Sequence, residues 1–205
     1  MNRRTFLWAG ALFGAISLSP TIAFASEGQT SVALVETFHS ALLSSMKSAA
    51  DTGVEQRFNT LSPIVGESFH AGLMIQVASG SYWRKASETQ HDALTAAFSK
   101  LSAATYAAQF DGYDGQSFET LGHKPGPQKT ILVETQIINP GSGNVALTYV
   151  TRMIQGRWRI IDVLVDTGIS ELARKRSEYR GILRSGGVDG LVRLLDTKSG
   201  ALLTD

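Results

Sequence analysis

The first half of the chain places its apolar residues at the three- and four-residue spacing of amphipathic helices. Val35, Phe38, Leu42 and Met46 share one stripe, and Gly53 predicts where that helix stops. A second helix is predicted over Val54 to Leu61, broken at Pro63. A third, from Glu67 to Val77, presents Phe69, Leu73, Met74 and Val77. The clearest helix begins at Ser87, where Ser87-x-x-Gln90 has the form of a capping box. It sets Leu94, Ala97, Phe98, Leu101 and Ala108 on one side.

The period then changes from helical to two. Ile131, Val133 and Ile137 alternate with Leu132, Glu134 and Gln136, and Pro140-Gly141-Ser142-Gly143 reads as a hairpin loop. Val145, Leu147, Tyr149 and Met153 alternate with Thr148 and Arg152. Gln155-Gly156 turns the chain into Trp158 and Ile160, then Val163 and Val165. That last run slips phase by one residue near Asp162, which marks either a bulge or a strand buried on both faces. An earlier strand covers Ser117 to Gly122. Helical spacing returns from Ile169 to Leu183, and Gly186-Gly187 separates it from a final helix through Leu191, Leu194 and Leu195. Helices, a four-stranded antiparallel meander and further helices predict an α+β domain. A curved sheet packed under helices in this way leaves room for an apolar pocket between the layers.

The N-terminal 25 residues belong to a different kind of segment. Arg3 and Arg4 precede an uncharged, largely apolar run from Phe6 to Leu18, then Pro20 and Ala23-Phe24-Ala25. This is the order of a cleaved secretory signal, with cleavage expected before Ser26. Arg3-Arg4-Thr5-Phe6-Leu7 also resembles a twin-arginine signal, so either that route or the general secretory route fits. The fold is therefore expected in a single domain, residues 26–205.

Charge adds little and cysteine adds nothing. The chain has 19 Lys and Arg against 18 Asp and Glu; without Arg3 and Arg4 the count is 17 against 18. A nearly neutral domain has no global attraction for nucleic acid. The absence of cysteine excludes disulfides, thiolate metal sites and cysteine nucleophiles.

Candidate chemistry is sparse. His39, His70, His91 and His123 have no metal-site spacing and read as surface or edge residues, so no metal or cofactor is expected. No serine stands in a Gly-x-Ser-x-Gly context. Asp162 is the one acid inside an apolar strand, where it needs either an arginine partner or a shifted pKa with a catalytic role alongside Tyr149 or Tyr106. Pairing is the expectation. Arg174, Lys175, Arg176, Arg180 and Arg184 make the helix after Gly168 locally basic, either as a solvated face or as a docking patch for lipid phosphates or an acidic partner.

The run from Gly156 through Trp158, Ile160, Asp162-Val163 and Gly168 to Ser170 resembles the signature of the MlaC-like periplasmic lipid-binding family, also called toluene-tolerance or ABC-transporter auxiliary proteins. Arg176-Ser177-Glu178-Tyr179, the break at Gly186, Gly80-Ser81-Tyr82-Trp83 and Thr105-Tyr106-Ala107 fall in that family's order. Gly168 to Ala173, Ala107 to Tyr113, the extra Thr167 and Lys175 look most similar to its hopanoid-associated branch, HpnM. The resemblance implies a non-enzymatic soluble periplasmic carrier of phospholipid or hopanoid. It would work between an inner-membrane ABC-type lipid transporter and an outer-membrane complex, with transient contact at the membrane surface. The lining it implies is Val133, Ile137, Leu147, Tyr149, Trp158 and Ile160 from the strands, with Phe69, Leu73, Phe98, Leu101, Ile169 and Leu172 from the helices. Arg174, Lys175, Arg176, Arg180 and Arg184 would meet the headgroup or a partner. The competing class is a small isomerase- or dehydratase-like enzyme built on Asp162 and a tyrosine.

Overall fold

The computed structural model describes residues 20–166 and 168–204, with side chains from Ser26 onward. Most of the expected export signal, and Thr167, lie outside the described residues. The elements run α1 (Pro20–Lys47), α2 (Val54–Ser68), α3 (Ala71–Ser79), α4 (Glu88–Gln109), β1 (Ser117–Pro125), β2 (Thr130–Ile138), β3 (Val145–Ile154), β4 (Arg157–Val165), β5 (Ile169–Ser170) and α5 (Glu171–Leu202). Helix α1 runs through the junction between Ala25 and Ser26 where cleavage is expected. Its first residue is Pro20, whose fixed φ suits a first helical turn. No helix among the described residues is long and apolar enough to cross a membrane.

The five strands form one antiparallel sheet in sequence order, β1-β2-β3-β4-β5. Along β2 the alternation behaves as the period implies: Ile131, Val133 and Thr135 are buried, while Glu134 and Gln136 point outward to Lys124 and Glu119 of β1. The helices cover the apolar face. Val35, Phe38 and Leu42 of α1, Leu61 and Val65 of α2, and Leu94, Phe98 and Leu101 of α4 join Val133, Tyr149, Ile160 and Val163 in one core. Burial of this face, rather than helix propensity, holds the layers together.

The phase slip near Asp162 is a bulge. Asp162 pairs with Val150 and Ile160 with Thr151, so Ile161 is the extra residue on β4. With one residue inserted, Trp158 and Ile160 before it, and Val163 after it, are all buried. A second bulge leaves Leu121 unpaired and exposed on β1.

Four local expectations change. Pro63 lies within α2 and does not end it. The carbonyl it orphans belongs to Asn59, which is exposed to water, while Leu61, Val65 and Ser68 bury the other side and carry the helix onward. The third helix starts only at Ala71. Phe69 is extended and bridges Ile160 of β4, the His70 amide donates to the Ile160 carbonyl, and the His70 ring accepts from the Leu73 amide as an N-cap. Val77 is 42% exposed. Ile169 and Ser170 form a fifth strand against Val165 and Leu164, so the last helix begins at Glu171. The predicted break near Gly186 is present as a kink at Gly187, with φ 61° and ψ −158° inside α5.

Two buried polar devices join the elements. The Arg57 guanidinium donates to the carbonyls of Ala107 (2.9 Å) and Thr52 (2.6 Å), neutralising the carboxyl end of α4. Ser31 of α1 hydrogen-bonds Thr151 of β3, whose hydroxyl donates to the Ile131 carbonyl at 3.0 Å.

Candidate functional site

A cavity of about 310 Å³ opens between the sheet and the helices. Ile137, Leu147, Tyr149, Val163 and Val165 form its sheet wall. Phe69 and Met74 close one side, and α4 contributes Ser102, Thr105, Tyr106 and Gln109, followed by Phe110. The first turns of α5 bring Glu171, Arg174 and Lys175 to it. The walls are fixed by edge-on and tilted aromatic contacts: Phe38 lies 5.1 Å from Phe69 and 5.0 Å from Tyr106, centroid to centroid, and Tyr106 lies 6.0 Å from Phe110.

Beneath the cavity floor, His39 is buried rather than at the surface. It follows Val35 by four residues and so shares the core stripe of α1. Its Nε2 lies 2.9 Å from the Tyr149 hydroxyl, and its ring stacks on Phe118 at 4.2 Å. Burial pulls the imidazole pKa down to about 4, so the ring is neutral near pH 7. Burial also raises the pKa of Tyr149 and Tyr106 well above the usual tyrosine range; the nearby Glu171 carboxylate adds to the effect on Tyr106. Both phenols are therefore protonated and neutral.

At the mouth, Arg174 is already engaged, its guanidinium donating to both Glu171 oxygens. Lys175 has no ion-pair partner among the described residues. Its ammonium lies 5.9 Å from the Phe98 ring centroid, and burial followed by the neighbouring Arg174 lowers its pKa. The remaining basic residues disperse. Arg176 approaches Gly80, while Arg180 and Arg184 are exposed away from the cavity.

Of the expected lining, Phe69, Ile137, Leu147 and Tyr149 meet in this cavity. Val133 and Ile160 are closed core, as are Phe98 and Leu172. Leu73 lines a shallow hollow with Trp83 and His91, and Trp158 lines an open groove of about 760 Å³ beside α1. Leu101 borders a hollow of about 450 Å³ that shares Thr105, Arg174 and Lys175 with the main cavity. Ile169 is 59% exposed, because β5 turns it away from the core. The polar residues of α4 are not among the expected lining, although Ser102, Thr105, Tyr106 and Gln109 stand at single-face helical spacing.

Asp162 has neither an arginine partner among the described residues nor a place in the cavity. One carboxylate oxygen accepts from the amides of Val163 (2.8 Å) and Leu172 (3.0 Å), and the other from the Ser170 hydroxyl at 2.6 Å. Ser170 in turn accepts from the Ala173 amide as N-cap of α5. The acid thus ties the bulge to the start of the helix that carries Arg174 and Lys175. The other histidines are also placed structurally: His91 bonds the Trp83 carbonyl and stacks on that indole, and His123 packs against Gly28. No cluster of three metal-ligating side chains occurs among the described residues.

Two comparisons with known proteins bear on this arrangement. A solved structure of a phospholipid-binding protein from Ralstonia solanacearum, in complex with a phospholipid, superposes with a TM-score of 0.71 at 20% sequence identity, covering 83% of this chain and 97% of that one. At that identity the likeness establishes the shared fold. The family model described as MlaC protein matches residues 36–197, which span α1 from its middle to the last turns of α5. The chain belongs to the MlaC protein family.

Proposed function

We propose that this protein is a periplasmic lipid carrier that holds its cargo in the cavity between sheet and helices and catalyses no reaction. The observation that carries the reading is the cavity itself: apolar along its sheet wall, open within an otherwise closed core, and cationic at one end in a member of the MlaC family. The phospholipid bound to the Ralstonia solanacearum protein of the same fold supports phospholipid as the cargo; hopanoid is the alternative that the sequence resemblance raises. Each methylene withdrawn from water contributes about 0.8 kcal/mol, so an acyl chain is held firmly by a dry cavity and poorly by a wet one. The headgroup meets Lys175, which has no ion-pair partner among the described residues, and Arg174, which exchanges Glu171 for phosphate. Release requires the walls to part, or a partner of comparable affinity to accept the chains. An ABC-type transporter at the inner membrane and a complex at the outer membrane are the proposed partners, reached through brief contacts at each surface. Export would remove residues 1–25 as a cleaved signal.

The test is native mass spectrometry of the protein purified from its own periplasm, followed by lipid extraction. A stoichiometric phospholipid supports the reading, and a stoichiometric hopanoid supports it with the other cargo. A bare protein that also takes up no lipid from vesicles overturns it.

A further inference from the structure

The cavity has one polar wall. Ser102, Thr105, Tyr106 and Gln109 of α4 face Leu147, Val163 and Val165 of the sheet across it. Polar groups held against hydrocarbon cost free energy unless they are answered. Two are answered within the helix: the Ser102 hydroxyl donates to the Phe98 carbonyl at 2.8 Å, and Thr105 to the Leu101 carbonyl at 2.7 Å. Tyr149 has His39. Tyr106 differs from these, because its hydroxyl has no hydrogen-bond partner among the described residues. The ring has little freedom to find one, being pinned between Phe38, Phe69 and Phe110. Its burial keeps the phenol protonated, so what it offers is a donor. Three residues on, the Gln109 amide is also unpartnered among the described residues and stands at the exposed edge of the same wall.

We propose that the Tyr106 hydroxyl and the Gln109 amide form a carbonyl-binding subsite that reads the ester groups of a glycerolipid. The inference rests on the carrier reading and narrows its cargo. A diester glycerolipid carries two carbonyl oxygens close together where its chains join the glycerol. Two donors three residues apart on a helix are separated by about 5–6 Å at Cβ, which suits such a pair. Arg174 and Lys175 border the same cavity on its charged side, where the phosphate of that lipid lies beyond its esters. A polycyclic hydrocarbon without carbonyls would leave Tyr106 unanswered.

The experiment loads lipid-stripped protein from vesicles containing equal amounts of phosphatidylethanolamine and its diether analogue, matched in chain length and headgroup. Bound lipid is extracted and the ratio measured by mass spectrometry. One well-placed hydrogen bond predicts an ester preference of roughly five- to tenfold. Tyr106→Phe, which keeps the ring and removes only the hydroxyl, should bring the ratio close to unity, and Gln109→Leu should lower it partway. Equal loading of both lipids by the unaltered protein overturns the inference while leaving the carrier reading intact, as does an undiminished ratio in Tyr106→Phe. Loading of neither lipid overturns the inference, and overturns the carrier reading with it when vesicles containing hopanoid also leave the protein bare.

Discussion

His39 Nε2 and the Tyr149 hydroxyl meet at 2.9 Å in a space that excludes water from both: His39 is 4% exposed and Tyr149 2%. The pair crosses from α1 to β3, and it exists only while the imidazole is uncharged or its charge is tolerated without solvent. This makes the packing of α1 on the sheet sensitive to pH.

The sign follows from linkage. The folded pKa of His39 is lowered to about 4, while an unfolded histidine titrates near 6.5. Between those values the unfolded chain binds the extra proton, so stability is complete above about pH 6.5 and falls as the pH drops toward 4. The loss between neutral pH and about pH 5 amounts to roughly 2 kcal/mol. Urea unfolding midpoints at the two pH values should show it, and His39→Gln, which keeps a hydrogen-bonding group but cannot titrate, should remove that part of the pH dependence. An unchanged slope in the variant would exclude His39 as its source.

Asp162→Ala should destabilise the fold by about 1–3 kcal/mol, since it strips an acceptor from the amides of Val163 and Leu172 and from the Ser170 hydroxyl at once. Chemical denaturation measures this. A catalytic aspartate would behave in the opposite way, tolerating the change in stability while losing turnover.

The kink in α5 allows a paired comparison. Gly187 has φ 61° and ψ −158°, a conformation that only glycine adopts cheaply, so Gly187→Ala should cost about 1–3 kcal/mol. Its neighbour Gly186 meets nothing closer than Ile182 Cδ1 at 3.6 Å, an ordinary contact, and Gly186→Ala should leave the thermal midpoint almost unchanged. Similar losses at both positions would mean that α5 senses side-chain bulk rather than backbone conformation.

Filling the cavity should separate loading from folding. Leu147→Trp adds volume at the sheet wall where about 310 Å³ stands open. Bound lipid per protein, read by native mass spectrometry, should fall severalfold while cooperative unfolding persists. Full loading in this variant would place the lipid elsewhere, with the groove beside α1 as the next site to examine.

Much of this architecture was legible because burial imposes a period. Val35, Phe38 and Leu42 announced α1, Ser87 and Gln90 form both halves of the capping box, and of the two readings of the slipped phase at Asp162 the bulge is the one that forms. What escaped was decided by distant partners. Pro63 looked like a helix end because its neighbours in sequence do not reveal that Asn59 opens to water. His39 carries the correct phase for the core, yet residue type argued for the surface until Tyr149 supplied a partner from 110 positions away. The site was read as an apolar lining, which cannot distinguish closed core such as Ile160 from cavity wall such as Leu147. The more telling signal was the polar face of α4, since a run of hydroxyl and amide residues turned inward marks a space meant to be filled.

The extra residue in β4 has a consequence for how the interior is divided. Side chains along a regular strand take turns between two faces, so if β4 kept Ile161 but ran without its bulge, the positions on the two sides would fall out of step. Trp158 and Ile160 would still seal the core, but Val163 and Val165 would swing outward and Leu164 would replace them. The open and the solid halves of this protein's interior are therefore kept in register by the bulge that takes a single residue out of the pairing. Straightening the strand with Ile161 in it would act on the molecule as a frameshift acts on a message, leaving every downstream residue present and facing the wrong way.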